Sequence, residues 1–410
     1  MDQHKLYNTI KSLSEQKFNK DEQLLAHVLE NVIQNEDILI RGARIWKLEP
    51  STGTYRLIRQ YGEIERIVNN FRFRVIDYPM FLQLPKRGTV VGTETNRYLR
   101  RKGIRLYSAT GVGEKLTWKG YLLYQYVIAV NADYLKEDMT YALNIIGSAL
   151  TTALKNRKIE SKAKLLEADL DKARDIQRSI LPVHEMRFYQ YDLYGVSVAD
   201  RIVGGDFFDY IQAHDDKDRL GVVIADAASK GLSAAAQALY VSGALRMGVG
   251  FNTKIATLIG RVNQLVNRAF SSEHFVSMVY AELLNSDNGL VLYVNAGHSN
   301  PILLRGASDQ TEKLPATGQI LGPFPAEKYH ADFTIMRKGD ILLLYTDGIT
   351  EATDEQAKMF GEERLINTLR EHKSKSPKEI CQHILQNVQV FSRIPEYSDD
   401  KTIVVIKRNR

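Results

Sequence analysis

Cysteine is almost missing from this 410-residue chain, with Cys381 the single one. A lone thiol excludes a disulfide frame and a thiolate metal site. It lies in an apparent amphipathic helix over residues 377–390, where a packed thiol is expected rather than a reactive one. No apolar run approaches the length of a bilayer span, and the opening Met1-Asp2-Gln3-His4-Lys5 has no apolar stretch of the signal-peptide kind. A cytoplasmic protein with no transmembrane segment is expected. Zinc-finger spacing, RNP-like aromatics and an arginine-rich tail are all absent, so nucleic acid is not an expected partner.

At 410 residues the chain exceeds one ordinary core, and two or more domains are expected. Its net charge of +6 is unevenly placed: residues 1–155 hold 23 Lys and Arg against 16 Asp and Glu, and the remainder 32 against 33. The basic half suits an anionic ligand, a membrane surface or an acidic partner. Its densest patch, residues 97–105, contains Gly103 and reads as a solvated loop.

Acidic motifs dominate the last two hundred residues: Gly204-Gly205-Asp206-Phe207-Phe208-Asp209, Ile224-Ala225-Asp226-Ala227, Tyr345-Thr346-Asp347-Gly348 and Ser398-Asp399-Asp400-Lys401-Thr402. The last three adjoin apolar, largely β-branched runs at 220–224, 341–345 and 403–406, which read as buried strands. Carboxylates gathered at the ends of core strands repel one another unless something neutralises them. Oxygen-only donors suit hard cations such as Mg²⁺ or Mn²⁺. A two-metal hydrolytic site built on Asp206, Asp226, Asp347 and Asp399 is therefore predicted, with Asp226 as the bridging carboxylate and the Ala227 carbonyl as a further oxygen. Singly, Asp347-Gly348 is an ordinary turn and Asp399-Asp400 a loop cap.

Upstream, apolar positions at helical spacing run through residues 6–35. Residues 38–48 and 55–58 flank Pro50-Ser51-Thr52-Gly53 as a hairpin, with further strands at 72–76, 104–107 and 120–130 and a long helix from near Tyr134. This α+β order, the Ala43-Arg44-Ile45-Trp46 strand with its turn, and the Gln125-Tyr126-Val127-Ile128-Ala129-Val130 strand before the last helix resemble a GAF domain. A PAS-like or other α+β sensor is the competing reading. Its aromatic residues line a ligand pocket or simply pack the core. From Tyr134 to Leu181 no proline interrupts a helical composition. Leu143, Ile146, Leu150 and Ala153 form one apolar series; Ile159, Ala163, Leu166, Leu170, Ala173, Gln177 and Ile180 form a heptad-like second. This is either a dimeric coiled-coil connector or two helices packing on their own domains.

From about residue 172 onward the chain resembles the SpoIIE/RsbU-type branch of the metal-dependent (PPM) serine/threonine phosphatases. The resemblance is carried by Ala173-Arg174-Asp175-Ile176-Gln177-Arg178-Ser179-Ile180-Leu181-Pro182, the four acidic motifs, Lys230-Gly231, Asn295-Ala296-Gly297-His298, Gly318 with Leu321-Gly322, the run from Gly339-Asp340 to Glu351-Ala352, and Phe360-Gly361. It implies an αββα sandwich with the metal site at one edge between two antiparallel sheets. It also implies two Mn²⁺ or Mg²⁺ ions held by Asp206, Asp226, the Ala227 carbonyl, Asp347 and Asp399, with Asp400 the alternative to Asp399. Arg201 stands where relatives place a phosphate-binding arginine, with a surface salt bridge as its alternative. His298 is expected to brace a turn rather than act as an acid. The family usually has glycine where Ser229 stands, so either the loop is shifted or the same turn forms without a left-handed residue.

The expected organisation is α+β: a GAF-like sensor domain (1–155), a helical, coiled-coil-like linker (156–185) and a PPM phosphatase domain (186–410). The expected activity is dephosphorylation of a phosphoserine or phosphothreonine protein, by resemblance a STAS-type anti-anti-sigma factor. Sensor control would pass through the linker, with homodimerisation and a small-molecule sensor ligand as further expectations. A catalytically silent scaffold and a hydrolase of small phosphate esters are the alternatives.

Overall fold

Alternating apolar positions around Trp46 and Leu57 meet across the Pro50-Ser51-Thr52-Gly53 turn as the hairpin expected, with Gly53 at a φ of 65°. The computed structural model describes residues 18, 20–33, 40–62, 65–131, 137–200, 202–251, 253–392 and 399–409. The chain divides into two compact units, Met1–Leu165 and Leu166–Arg410.

The first unit contains helix α1 (Asp21–Ile33) and strands β1 (Gly42–Glu49), β2 (Thr54–Gly62), β3 (Arg72–Arg74), β4 (Thr89–Thr93), β5 (Leu106–Trp118) and β6 (Tyr121–Asn131). They form one antiparallel sheet in the order β3-β2-β1-β6-β5-β4. On one face Leu25 and Leu29 of α1, with Leu143, Ile146 and Leu150 of α2 (Glu137–Ile180), cover Ala43, Ile45 and Ile128. The other face carries an aromatic core around Trp46, Tyr55, Phe73 and Phe81.

Two expectations need correction in this unit. The basic patch 97–105 is not wholly loop: Arg97–Arg101 forms a short helix, because the Asn96 side chain accepts from the Tyr98 and Leu99 amides and caps it. Strand β5 extends far beyond 104–107, since Gly111 and Gly113 conceal it. A Cβ at Gly111 would collide with the Tyr124 ring, and Gly113 takes a φ of 87° where the β5–β6 register shifts. Leu6, Ile10, Leu13 and Ile38 lie outside the described residues.

The second unit adds β7 (Glu185–Phe188), β8 (Tyr191–Val198), β9 (Phe207–Ile211), β10 (Arg219–Ala227), β11 (Val276–Leu284), β12 (Leu290–Ala296), β13 (Ile302–Leu304), β14 (Thr311–Lys313), β15 (Asp332–Ile335), β16 (Ile341–Tyr345) and β17 (Lys401–Arg408). Two antiparallel sheets result, ordered β15-β12-β11-β10-β9 and β14-β13-β16-β17-β8-β7. Helices α3 (Leu232–Val249) and α4 (Ile255–Ala269) cover the first, and α5 (Gly361–Glu371) and α6 (Pro377–Phe391) cover the second.

The apolar runs owe their continuity to this four-layer stacking. In β10, Val222 and Ile224 enter the core between the sheets while Val223 and Ala225 face α3 and α4. In β17, Val404 and Ile406 point inward and Ile403 and Val405 pack under α5 and α6. Both faces are buried, so both must be apolar. Among the described residues no helix is long and apolar enough to cross a membrane.

Cys381 is fully buried on α6 among Ile380, Ile384 and Ile403, and burial pushes its thiol well above the usual range. Native protein should therefore resist iodoacetamide, and Cys381 should alkylate only once urea unfolds the second unit. Rapid labelling of folded protein would contradict this packing.

Candidate active site

Strand pairing brings the four predicted aspartates to one edge. Asp206 immediately precedes β9 and Asp226 sits near the end of β10, and the antiparallel pair Ala225↔Phe207 places these ends together. Asp347 follows β16 and Asp399 precedes β17, where Tyr345↔Ile403 does the same in the second sheet. The edge opens into a cleft of about 240 Å³ lined by Asp200, Asp226, Ala227, Lys230, Asp399 and Asp400, among others.

Each carboxylate has a distinct environment. Asp206 is buried and accepts a 2.7 Å hydrogen bond from Thr346 Oγ1. Desolvation first, then the nearby Asp226, holds its pKa well above the usual carboxylate range. Asp226 is raised to about 7 by burial and by Asp347, Asp399 and Asp400 in turn. Asp347 is raised by burial and by Asp399, and Lys230 partly offsets this. The Lys230 ammonium stands 3.6 Å from the Asp399 carboxylate, a cation already drawn to the cleft.

Asp399 and Asp400 separate by partner. Asp399 faces the cleft with a half-exposed side chain. Asp400 accepts backbone N–H bonds from Asp200 (2.8 Å), Gly205 (2.6 Å) and Asp206 (3.3 Å). It thus holds the loop that carries Asp206. Gly204 leaves room for the Asp400 carboxylate, and Gly205 leaves room for the Ala227 carbonyl. That carbonyl accepts from Ser229 N at 2.7 Å and retains a second lone pair.

The Ser229 turn forms without a left-handed serine. Gly231 takes the positive φ, 70°, and Ser229 is absent from the non-glycine residues that do so. Its hydroxyl accepts a 2.7 Å bond from Gln237 Nε2. His298 is buried, with Nδ1 2.8 Å from Ser277 Oγ and its backbone N–H donated to Asn295 Oδ1 at 2.8 Å. Burial lowers its pKa to about 4, so it is neutral at pH 7. Arg201 lies outside the described residues.

Two residues escaped the sequence reading of the site. Gln177, a heptad-like position on α2, is instead buried: its Nε2 donates to Gly204 O at 2.7 Å and its Oε1 accepts from Gly204 N at 3.3 Å. Asp209 is buried against Arg246, whose Nε and Nη2 reach it at 2.6 and 3.0 Å. A glutamine in an apolar seam is a signal for the first; Arg246 gives none without the fold.

The donor set fits hard divalent cations: it is all oxygen, and burial with neighbouring carboxylates raises the pKa of Asp206, Asp226 and Asp347. No three His, Cys, Asp or Glu side chains among the described residues are already drawn together as a metal cage.

Comparison with known proteins agrees with this architecture. Residues 216–409 match the family model of stage II sporulation protein E (SpoIIE), a segment that contains Asp226, Asp347, Asp399 and Asp400. Protein IcfG of Synechocystis sp. is 28% identical over 283 residues, which span 61% of this chain and 43% of that protein. Phosphoserine phosphatase RsbU of Bacillus subtilis is 23% identical over 243 residues, 59% of this chain and 71% of that one. The chain thus spans less than half the length of IcfG. The SiaA-PP2C domain of Pseudomonas aeruginosa superposes with a TM-score of 0.52 at 20% identity, covering 60% of this chain and 98% of that domain. The second unit has a PP2C-like fold, and its residues 216–409 are similar to SpoIIE.

The division of labour between the paired aspartates is testable by urea denaturation. Asp400→Ala should lose about 1–3 kcal/mol of stability, since it strands the Gly205 and Asp206 amides. Asp399→Ala should stay within about 0.5 kcal/mol of the parent. Equal effects would show that Asp400 does not hold the loop.

Proposed function

We propose that this protein is a metal-dependent serine/threonine protein phosphatase. The observation that carries the reading is the gathering of Asp206, Asp226, Asp347 and Asp399 near enough to act on one another's charge, beside a cleft lined by Asp226 and Asp399. Asp206, Asp226, the Ala227 carbonyl, Asp347 and Asp399 would hold two Mn²⁺ or Mg²⁺ ions. Asp226 is central, because burial and the nearby Asp347, Asp399 and Asp400 carboxylates together raise its pKa. Divalent cations bound there supply Lewis acidity toward a phosphoryl group and lower the pKa of water. The chain's own residues place the donors: Thr346 orients Asp206, Asp400 fixes its loop, and Lys230 offers a positive charge beside Asp399. Arg201 is assigned to the substrate phosphate.

The substrate we infer is a phosphorylated protein, of STAS type, in keeping with RsbU being a phosphoserine phosphatase. The first unit is read as a GAF-like sensor (1–155), followed by a linker (156–185) and the phosphatase domain (186–410), in a cytoplasmic homodimer. Exposed Ile159, Leu166 and Ile176 on α2 support a connector with apolar surface to share. Gln177 supports transmission to the site, because it ties α2 to the backbone of Gly204, two residues from Asp206.

Phosphate release from a phosphoserine protein and from a generic ester, with and without Mn²⁺, tests the activity. Asp226→Asn and Asp347→Asn should each lower metal-dependent turnover by at least about 10²-fold, the scale of losing one charge-stabilising group at a developing anion. Turnover unaffected by both would sink the two-metal assignment, and turnover of the ester alone would make this a small-molecule hydrolase.

Gln177→Ala tests the coupling separately. Loss of two buried hydrogen bonds, about 0.5–1.5 kcal/mol each, should raise the Mn²⁺ concentration for half-maximal activity roughly tenfold. A folded variant with unchanged metal dependence would remove Gln177 from the coupling.

A further inference from the structure

Among the described residues that line the cleft beside the aspartates, carboxylates outnumber cations: Asp200, Asp226, Asp399 and Asp400 stand against a single ammonium, that of Lys230. Asp400 is already satisfied by the amides of Asp200, Gly205 and Asp206. Lys230 pairs with Asp399 at 3.6 Å, longer than a hydrogen bond, and its side chain is 55% exposed. Its N–H donors are therefore not committed to that carboxylate. Lys230 also reaches Asp347 electrostatically: burial and Asp399 raise the Asp347 pKa, and Lys230 opposes them.

The backbone beneath Lys230 is pinned on both sides. Ala228 N–H donates to Phe275 O at 2.9 Å, Ser229 N–H donates to Ala227 O at 2.7 Å, and the Ser229 hydroxyl accepts from Gln237 Nε2 at 2.7 Å. Gly231 then turns the chain into α3 at a φ of 70°, and its carbonyl accepts from Ala235 N–H at 3.1 Å. A flexible four-carbon side chain on such a loop changes partner without moving the loop. An exposed ion pair of this length adds little to stability, so holding the fold together does not account for its placement.

From this arrangement we infer that Lys230 is a substrate-phosphate ligand that exchanges partners: it balances Asp399 until a divalent ion does so, and then donates to a phosphoryl oxygen. Charge balance carries the argument. Asp206, Asp226, Asp347 and Asp399 together match two divalent ions, which leaves the Lys230 ammonium among cations with no counter-charge. A phosphate monoester dianion supplies one, and N–H bonds from an ammonium to phosphate are charge-assisted. The group recognised is the phosphoryl group itself, common to phosphoproteins and small esters. The inference rests on the two-ion phosphatase reading and gives the cleft a phosphate-binding cation besides Arg201.

Calorimetry on the full chain tests it with Mg²⁺ and inorganic phosphate as probes, a readout separate from turnover. In Mg²⁺-loaded protein Lys230→Gln should weaken phosphate binding about 10–100-fold, the loss of one charge-assisted bond, and Lys230→Arg, which keeps the charge, should retain most of it. Without phosphate, Lys230→Gln should bind Mg²⁺ about two- to fivefold more tightly, because no ammonium has to leave Asp399. A residue that merely braced the loop would weaken both ligands when replaced. Urea midpoints equal to the parent's establish that the variants fold. Lysine-dependent phosphate binding by a parent that turns over no ester would support Lys230 as the ligand and count against the phosphatase reading alone. A parent that binds no phosphate, a folded Lys230→Gln with the parent's phosphate affinity, or one whose Mg²⁺ affinity fails to rise would overturn the assignment.

Discussion

Electrostatic repulsion among buried carboxylates organises the second unit. Two sheets pack face to face with dry layers on either side, and at one edge the chain gathers Asp206, Asp226 and Asp347, wholly or partly withdrawn from water, beside the half-exposed Asp399. Removing such groups from water costs several kcal/mol each unless a cation or a set of N–H donors compensates. The surrounding structure responds to that cost. Asp400 is satisfied by three amides, Asp206 by Thr346, and Asp399 by the approach of Lys230. Asp226 has the least compensation from the protein, and its pKa near 7 records what a divalent ion would relieve.

The same edge explains why glycine recurs there. Gly204 and Gly205 admit the Asp400 carboxylate and the Ala227 carbonyl, and Gly348 admits the Asp400 backbone. A side chain at any of these would push apart strands that hold the site together. Gln177 exploits this crowding: it bonds the buried peptide groups of Gly204, where a small displacement alters the position of Asp206. The first unit also buries charge, with Arg44 and Glu94 lining one cavity beside Trp46, Phe73 and Tyr78.

Much of the architecture was legible because apolar patterning is local. The runs at 220–224, 341–345 and 403–406 are strands β10, β16 and β17, and the hairpin at Pro50-Ser51-Thr52-Gly53 forms as its turn residues require. Where patterning is diluted by glycine, as at Gly111 and Gly113 in β5, the strand was invisible, since the neighbours that fill those gaps, Tyr124 at Gly111 and Gln125 at Gly113, lie elsewhere in the chain. The cap at Asn96 turned a basic stretch into a helix for an equally specific reason.

Sequence by itself determined that carboxylates stand beside buried strands and that one cysteine is packed away, because burial of an apolar run and desolvation of its flanks are consequences of composition. It could not decide which of Asp399 and Asp400 accepts the Gly205 and Asp206 amides, what Gln177 touches, or how Arg44 and Glu94 come to line one cavity. Those outcomes depend on registers such as Tyr345↔Ile403 and on contacts between residues far apart in the chain. Only the folded chain brings those atoms within the 3 Å over which a hydrogen bond acts, or the few ångströms over which one charge moves another's pKa.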